Sequence, residues 1–557
     1  MGNGAVSCAI PARPSIKVRF LACLIALAAA AEPGHAQETA PESVPSFAEL
    51  EAAGARIGEI RIVSQDIFDL ADPRENNALY RLANKIHINT RPEVIRRQLL
   101  FQTGDLVSLR LIEETARLLR EKHYLYEVDI QPVAYRHGVA DIEVRTRDAW
   151  SLDIGIGVSR AGGENTGRLS VKEDNLLGTG ITIGVSYTSD VDRSGTTFNI
   201  ADTNVFGTRG AVAYSYARYD DGNEQSLSLQ RPFYALDARW AAGFSAADAD
   251  TLASVYNAGN EIAEYRHRRQ AVETFGGWSR GLVEGWTRRY SIGLGYRDDD
   301  YELEPGKPAP SRLPSDLTLA GPFARFELIE DAFRTDVNLN LIGRVEDFAM
   351  GVRAALQVGR ALTHLGSTRD AWLYNASLSN GFDVTKDSFL LASVATGGRY
   401  AEQGENQSLG GSVRYYNRQG RHLVYYAAVS ADAIDNPDVI DPLQIGGDNG
   451  LRGYPLRYQS GERRALLTLE ARGYTDWYPF RLFRVGGAVF YDTGRAWKGE
   501  NPNTINSGWL RDVGFGLRLL SARTSKGNLL HADVAFPLDP DPSIDKVQFV
   551  VKTRAEF

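Results

Sequence analysis

Val547-Gln-Phe-Val-Val-Lys-Thr-Arg-Ala-Glu-Phe557 ends the chain in strict alternation. Val547, Phe549, Val551, Thr553, Ala555 and Phe557 share one face, while Gln548, Lys552, Arg554 and Glu556 share the other. Successive side chains of a β-strand point to opposite sides, so this stretch reads as a strand with one apolar face and one charged face. The pattern recurs upstream. In 512–519, Val513, Phe515, Leu517 and Leu519 oppose Asp512, Gly514, Gly516 and Arg518; in 465–472, Ala465, Leu467, Leu469 and Ala471 oppose Glu470 and Arg472. At 150–158, Trp150, Leu152, Ile154, Ile156 and Val158 alternate with small or polar residues. A soluble sandwich alternates as well. Here charges stand at mid-strand, and segments of about ten residues recur between turns, as membrane-crossing strands require. The predicted fold is a transmembrane antiparallel β-barrel over 150–557, with up to about 20 strands by segment count.

The other end of the chain fits that compartment. Arg13, Lys17 and Arg19 precede an apolar run from Phe20 to Ala31, and Gly34-His35-Ala36 offers small residues for cleavage. Residues 1–36 therefore read as a signal peptide, and the run is too short to span a bilayer as a helix. Both cysteines, Cys8 and Cys23, lie within it, so no disulfide or thiol chemistry is expected beyond residue 36. The net charge of −8 argues against nucleic acid as a partner. The mean hydropathy of −0.28 is no objection to a membrane location, because lipid-facing and lumen-facing residues cancel along each strand.

Between signal and barrel the periodicity changes. Residues 37–56 read as a flexible leader. From Ile57 the order is β-α-α-β-β: a strand at Ile57, Ile60 and Ile62; a helix over Pro92 to Phe101 with Thr90 near its N-cap; a second helix from Leu109 to His123; and strands at Tyr126 to Tyr135 and Val139 to Thr146. Residues 64–91 form an insertion longer than such a unit needs. The stretches VIRRQLLFQTGD, LLREKHYLYEVDI and ADIEVRTRDAW resemble a POTRA domain, the periplasmic module in front of outer-membrane assembly and secretion barrels. The resemblance covers 57–149.

One loop carries the sharpest motif. Gly446-Gly-Asp-Asn-Gly-Leu-Arg-Gly-Tyr454 lies between strands ending near Ala433 and beginning near Arg463. Its Leu451-Arg452-Gly453-Tyr454 resembles the loop-tip motif of the BamA/TamA superfamily, Phe490-Tyr-Asp492-Thr-Gly494 resembles that family's F-x-D-x-G strand, and Gly514, Gly516 and Arg518 match the glycine-rich strand that follows. Asn175-Leu-Leu-Gly-Thr-Gly180 and Asn204-Val-Phe-Gly-Thr-Arg209, 29 residues apart, resemble an early turn of the same family. The likeness implies a 16-stranded barrel whose loop folds into the lumen, with Arg452 pairing with Asp492. It also implies that a terminal Phe557, with Phe549 and Val551 on its face, is recognised by the barrel-assembly machinery. The excess over sixteen strands lies between residues 224 and 431, either as added strands or as hairpins reaching outside the membrane.

Such a lock is physically reasonable, because an Arg–carboxylate pair away from water is charge-assisted and directional. Glycines at 450 and 453 are expected to allow turns closed to other residues. Tyr415-Tyr416 and Tyr425-Tyr426, flanking a short turn, suggest an interfacial aromatic girdle. No catalytic, cofactor or metal site is expected. Gly277-Trp-Ser279-Arg-Gly281 matches G-x-S-x-G but lies in an alternating stretch, whereas that chemistry needs a strand-turn-helix elbow. Asp435, Asp438 and Asp441 read as a solvated loop face. The expected role is assembly, insertion or translocation of an unidentified periplasmic client at the outer-membrane bilayer, with a channel for ions, small solutes or lipids as the alternative.

Overall fold

The computed structural model describes residues 44–257, 260–437, 442–498, 507–524, 529–539, 542 and 544–554. The signal peptide, Asp438, Asp441, Ala555 and Phe557 lie outside that set.

An α+β domain comes first. Its sheet has the order β1-β3-β2, built from β1 (Arg56–Gln65), β2 (Leu125–Arg136) and β3 (Val139–Asp148), with β1 parallel to β3. Four helices accompany it: α1 (Phe47–Ala52), α2 (Ala78–Ile86), α3 (Pro92–Arg96) and α4 (Leu109–Arg120). The leader expected at 37–56 is corrected at its C-terminal half. Ser46 and Glu49 form a reciprocal capping box that starts α1, and Leu50 is fully buried among Ile57, Ile95, Leu119 and Ile142. Short polar composition concealed one anchoring leucine. The first predicted helix is also shorter than its apolar spacing suggested, ending at Arg96. Thr90 does not cap it. Arg91 holds the cap position, and Thr90 donates from its backbone N (2.7 Å) and Oγ1 (2.9 Å) to Asp148, a buried carboxylate that needs donors.

Twenty strands close the barrel around a small hairpin and a loop stem. The first seven are β4 (Leu152–Ala161), β5 (Glu164–Glu173), β6 (Thr182–Ser189), β7 (Ser194–Asp202), β8 (Ala211–Tyr219), β9 (Asn223–Arg231) and β10 (Trp240–Asn257). Then come β11 (Asn260–Val283), β12 (Trp286–Leu303) and β13 (Leu317–Glu330). A separate hairpin, β14 (Phe333–Val337) with β15 (Val345–Ala349), interrupts the wall. The wall resumes with β16 (Arg353–Ala361), β17 (Ala371–Thr385), β18 (Ser388–Tyr400), β19 (Gly404–Gln419) and β20 (Leu423–Asp435). Short strands β21 (Leu443–Ile445) and β22 (Gln459–Gly461) stem the long loop, and β23 (Arg463–Tyr474), β24 (Phe483–Trp497), β25 (Leu510–Ser521), β26 (Leu529–Pro537) and β27 (Gln548–Arg554) complete the ring.

The twenty strands correct the sixteen implied by resemblance and agree with the count of alternating segments. The excess consists of added strands. The segments between 224 and 431 join the ladder, and β10, β11 and β12, at 18, 24 and 18 residues, exceed the roughly 9–11 residues a membrane crossing needs. Outward positions form an apolar belt that includes Val185, Ile292, Val489, Phe515 and Phe549, all largely exposed. The tyrosine girdle is half right. Tyr425 is 49% exposed on the outer face, but Tyr416 is buried inside against Phe389 and Tyr426, because adjacent residues of a strand face opposite ways.

The α+β domain packs against the barrel end from which β4 rises, here termed proximal. Its contacts circle the rim. Arg91 donates to the Gly178 carbonyl (3.0 Å) in the β5–β6 turn, Arg209 in the β7–β8 turn donates to the Leu99 carbonyl (3.0 Å), and Glu114 accepts from the Leu236 N–H (2.8 Å) in the β9–β10 turn. Arg523 in the β25–β26 turn pairs with Glu75.

Leu50→Ala is expected to cost about 2–5 kcal/mol in the α+β domain alone. Hydrogen exchange should show loss of protection in β1–β3, while the barrel keeps its folded migration in detergent gels. Unchanged protection in the sheet would exclude α1 from the core.

Candidate functional site

The β20–β23 connection turns back into the lumen and seats one arginine against three strands. Arg452 is 5% exposed. Its Nε and Nη2 donate to the two carboxylate oxygens of Asp492 (2.7 and 3.0 Å), and its Nη1 donates to Glu470 (2.8 Å) and Asp533 (3.3 Å). The guanidinium plane also lies 3.4 Å from the centre of the Phe490 ring. The acceptors stand on β23, β24 and β26, so a single side chain ties the loop to three staves. Arg518 on β25 pairs with Asp533, and Arg472 on β23 donates to the second oxygen of Glu470 at 2.7 Å. Three guanidinium groups thus interleave with three carboxylates.

The glycines make the space. A Cβ at Gly453 would stand 2.6 Å from that of Asp512, whose Oδ2 accepts the Gly453 N–H at 3.1 Å. Gly453 is therefore needed for close approach, whereas only Gly450 has the left-handed backbone expected of both (φ +129°). A Cβ at Gly494 would meet Ile445 at 2.4 Å, one at Gly514 the Phe490 ring at 2.3 Å, and one at Gly516 the Asp533 carboxylate at 1.8 Å. Tyr454, fully buried, donates its hydroxyl to the Arg511 carbonyl (2.9 Å) and accepts from the Arg511 N–H (3.2 Å). Arg452, Gly453, Tyr454, Asp492, Gly494 and Arg518 are thus brought together. Sequence reasoning missed Glu470, Arg472 and Asp533 as partners, although their inward position at mid-strand was readable.

The loop also reaches both margins of the barrel's closure. Lys552 on β27 donates to the Gly447 and Asp448 carbonyls (2.9 and 2.8 Å), while Gly162 in the β4–β5 turn lies so close to the Leu456 backbone that a Cβ there would stand 2.1 Å from it. Arg457 binds Asp192 in the β6–β7 turn with both terminal nitrogens (2.8 and 2.5 Å). β26 and β27 pair from Ala535↔Gln548 to Leu529↔Arg554, but β27 and β4 pair only at Val551↔Arg160 among the described residues. Phe549 and Val551 lie on the outward face of β27.

The β14–β15 hairpin enters from the proximal mouth, where connections between membrane strands are ordinarily short turns. Leu339, Ile342 and Phe348 bury against Phe389, Tyr416, Val424, Tyr474, Leu520 and Leu529. Arg120 of α4 holds Asp347 with two hydrogen bonds (2.7 and 2.8 Å), and Arg117 lies over the Phe333 ring at 3.9 Å. At its tip, the Leu339 carbonyl accepts from Arg472 Nη1 (3.0 Å) and from the Tyr474 hydroxyl (2.9 Å). Arg452, Glu470 and Arg472 therefore form an unbroken polar chain from the distal loop to the proximal hairpin. Glu346 accepts the Leu339 and Asn340 N–H groups, yet burial pushes its carboxyl up from 4.5 to about 7, with Arg472 the cation that faces it. Across the lumen the arc from β7 to β19 is hollow. A cavity of about 830 Å³ there is lined by Asn199, Ser215, Ser228, Ser245, Gln357 and Asn375.

The remaining motifs fall elsewhere. Ser279 lies within β11 with no helix after it, and its hydroxyl donates to the Arg288 carbonyl (2.8 Å). Asp435 pairs with Arg463 (2.8 Å).

Comparison with known proteins places this geometry. The model of the Omp85 superfamily domain matches residues 175–554. No curated protein sequence matches the chain. Similar solved structures include BamA from Haemophilus ducreyi lacking POTRA domains 1–3, at 14% identity over 89% of this chain and 85% of that one, with a TM-score of 0.37. CdiB from Acinetobacter baumannii is 14% identical over 90% and 73% (TM-score 0.41), and CdiB from Escherichia coli is 14% identical over 90% and 76% (TM-score 0.47). These are likenesses of fold alone.

Arg452→Ala leaves three buried carboxylates without their shared cation, a loss of about 3–5 kcal/mol. The loop 436–462 should become sensitive to added protease in folded protein, and Arg452→Lys should not restore resistance, because an ammonium cannot reproduce the planar fork. A loop equally resistant in Arg452→Ala would mean that other contacts hold it. For Glu346 the folded value lies above the ordinary one, so its protonated form favours the fold. That contribution is complete below the ordinary value and lost as pH rises through about 7. Hydrogen exchange in 333–349 should therefore quicken between about pH 5 and pH 8 beyond its intrinsic trend, and Glu346→Gln should remove the excess.

Proposed function

The chain belongs to the Omp85 superfamily, and we propose that it acts on client proteins at the outer membrane, in their assembly, insertion or translocation. The observation that carries this reading is the seam. There the first and last strands, β4 and β27, meet, and one loop holds both margins; when the two strands part, each presents an edge that templates the addition of another strand. A client strand could pair there and leave laterally without crossing a complete wall.

The α+β domain supplies the capture step in this reading. As a POTRA domain in the periplasm it offers the free edge of β2, which pairs only with β3 on its other side. An extended client segment would add to that edge by main-chain hydrogen bonds. The Arg452 loop then acts as the lock, gripping β27 through Lys552 and the β4–β5 turn at Gly162. The terminal strand with Phe557, Phe549 and Val551 serves the protein's own insertion by the barrel-assembly machinery.

A second reading rests on the hollow arc of the lumen. Its lining sets serines and asparagines among apolar residues and could take up solutes, which would make the protein a channel once the β14–β15 hairpin withdraws.

Four measurements separate these readings. Cysteines at 160 and 551 should lock the seam by a disulfide, and delivery of an outer-membrane or secreted client should stop until reductant is added. Normal delivery through a locked seam would defeat lateral insertion. A photocrosslinker at the exposed Asp129 on β2 should capture the client. In planar bilayers a channel would conduct more in Arg452→Ala than in the parent, whereas solute uptake that falls on depletion with every client unaffected would favour transport.

A further inference from the structure

The insertion between β1 and α3 is placed unlike a typical domain surface. It lies along the proximal rim beneath the seam and is tied down on both sides. Tyr80 of α2 donates its hydroxyl to the Phe480 carbonyl in the β23–β24 turn, and Glu75 pairs with Arg523 in the β25–β26 turn. On the other side of the seam, the Thr90 hydroxyl accepts from Asn175 (2.8 Å), and Arg91 Nε donates to the Leu177 carbonyl (3.1 Å), both in the β5–β6 turn. The segment therefore spans the foot of β24–β27, β4 and β5.

Its helix has three flanks. Tyr80 and Ala83 dock on Ile67, Phe68, Trp150 and Leu482. Arg81 and Lys85 form a basic flank. Leu79, Leu82 and Ile86, at i, i+3 and i+7, form a third that is 64%, 54% and 59% exposed. Among the described residues, this stripe of three large apolar side chains on a short helix stays largely uncovered.

The neighbouring turns expose apolar groups by an unusual device. Leu177, Phe206 and Phe480 occupy equivalent positions in the β5–β6, β7–β8 and β23–β24 turns, each with left-handed backbone (φ 53°, 52° and 54°). Bulky residues rarely adopt that conformation, which glycine or asparagine accepts at lower cost. Here the strain serves to project large apolar side chains outward: Leu177 is 56% exposed, Phe480 77% and Phe206 100%. The strands that these turns join carry exposed apolar residues on their outward faces, such as Val171 on β5 and Val489 on β24.

We infer that the exposed flank of α2, with the tips of the turns beside it, inserts into the proximal leaflet of the membrane as an interfacial helix at the foot of the seam. The occupant is a phospholipid surface. Continuity with the lipid-facing belt of the barrel sets the height of these residues, and Arg81 and Lys85 lie where a helix in the interfacial plane meets anionic headgroups. Such helices bury their apolar face roughly 5–10 Å into the headgroup boundary, a depth that leucine and phenylalanine tips at the rim can reach. The inference rests on the outer-membrane reading, and its test separates the two.

The full chain, with Cys8 and Cys23 changed to serine, takes one cysteine at a time: Leu82→Cys on the exposed flank, Lys85→Cys on the basic flank, or Leu517→Cys on the outward face of β25. Each is labelled with an environment-sensitive fluorophore in vesicles of phosphatidylethanolamine and phosphatidylglycerol that carry a shallow acyl-chain nitroxide. The label at 82 should be quenched by the lipid nitroxide several-fold more than the label at 85, and shielded from aqueous iodide. Equal iodide quenching at 82 and 85 would overturn the inference. So would shielding of position 82 from both quenchers, which would assign the flank to a protein partner. If position 517 escapes the lipid nitroxide, the membrane placement of the barrel fails instead.

Discussion

Glu470 shares its two carboxylate oxygens between two arginines that belong to different parts of the molecule. One oxygen accepts from Arg452, carried by the loop from the distal end; the other accepts from Arg472, which holds the hairpin from the proximal end. Both charges are removed from bulk water, so neither guanidinium can leave without exposing an uncompensated group. The net stability of such a cluster is small, because desolvation offsets most of the attraction. Its contribution is geometric. It fixes where two inserted segments meet one wall, and the rest of the lumen is arranged around that meeting point.

The barrel is consequently lopsided. From β20 through β27 the wall is backed by the loop, the hairpin and the charge cluster, while the opposite arc faces a cavity. The reinforced side is also the side where the ring closes. The closure between β27 and β4 is held from either end: the loop grips both margins distally, and the insertion that carries α2 straddles them proximally. A ring secured by clasps differs from one secured by a continuous ladder, because a clasp can be released by a local change that leaves the staves intact.

Much of this was legible in sequence. Period-two alternation in 547–557 and 512–519 was sufficient for a transmembrane barrel, and the segment count was a better guide to strand number than family likeness. Arg452 and Asp492 were found because the motif residues themselves lie in short, recognisable stretches. Glu470 and Asp533 were not, since a charge facing the lumen looks the same whether it meets water or an arginine from a distant loop. The hairpin at 331–352 escaped for a similar reason: its apolar residues, Leu339, Ile342 and Phe348, are too few and too irregular to stand out, and their burial depends on walls formed far along the chain. Leu50 illustrates the converse, where a polar stretch hides a single residue essential to the core.

The hairpin has a consequence for the order in which the barrel is made. Leu339 accepts from Arg472, 133 residues onward, and Arg344 donates to the Ala522 carbonyl, 178 residues onward. Contacts of such separation form late, after the intervening chain has been organised. The hairpin emerges between β13 and β16 and meets α4 and β18–β20 on the way, but the donors to its tip arrive only with β23, and the acceptor of Arg344 only after β25. A nascent barrel therefore carries its stopper half-seated, and the tip is fixed only when the last quarter of the wall has been added.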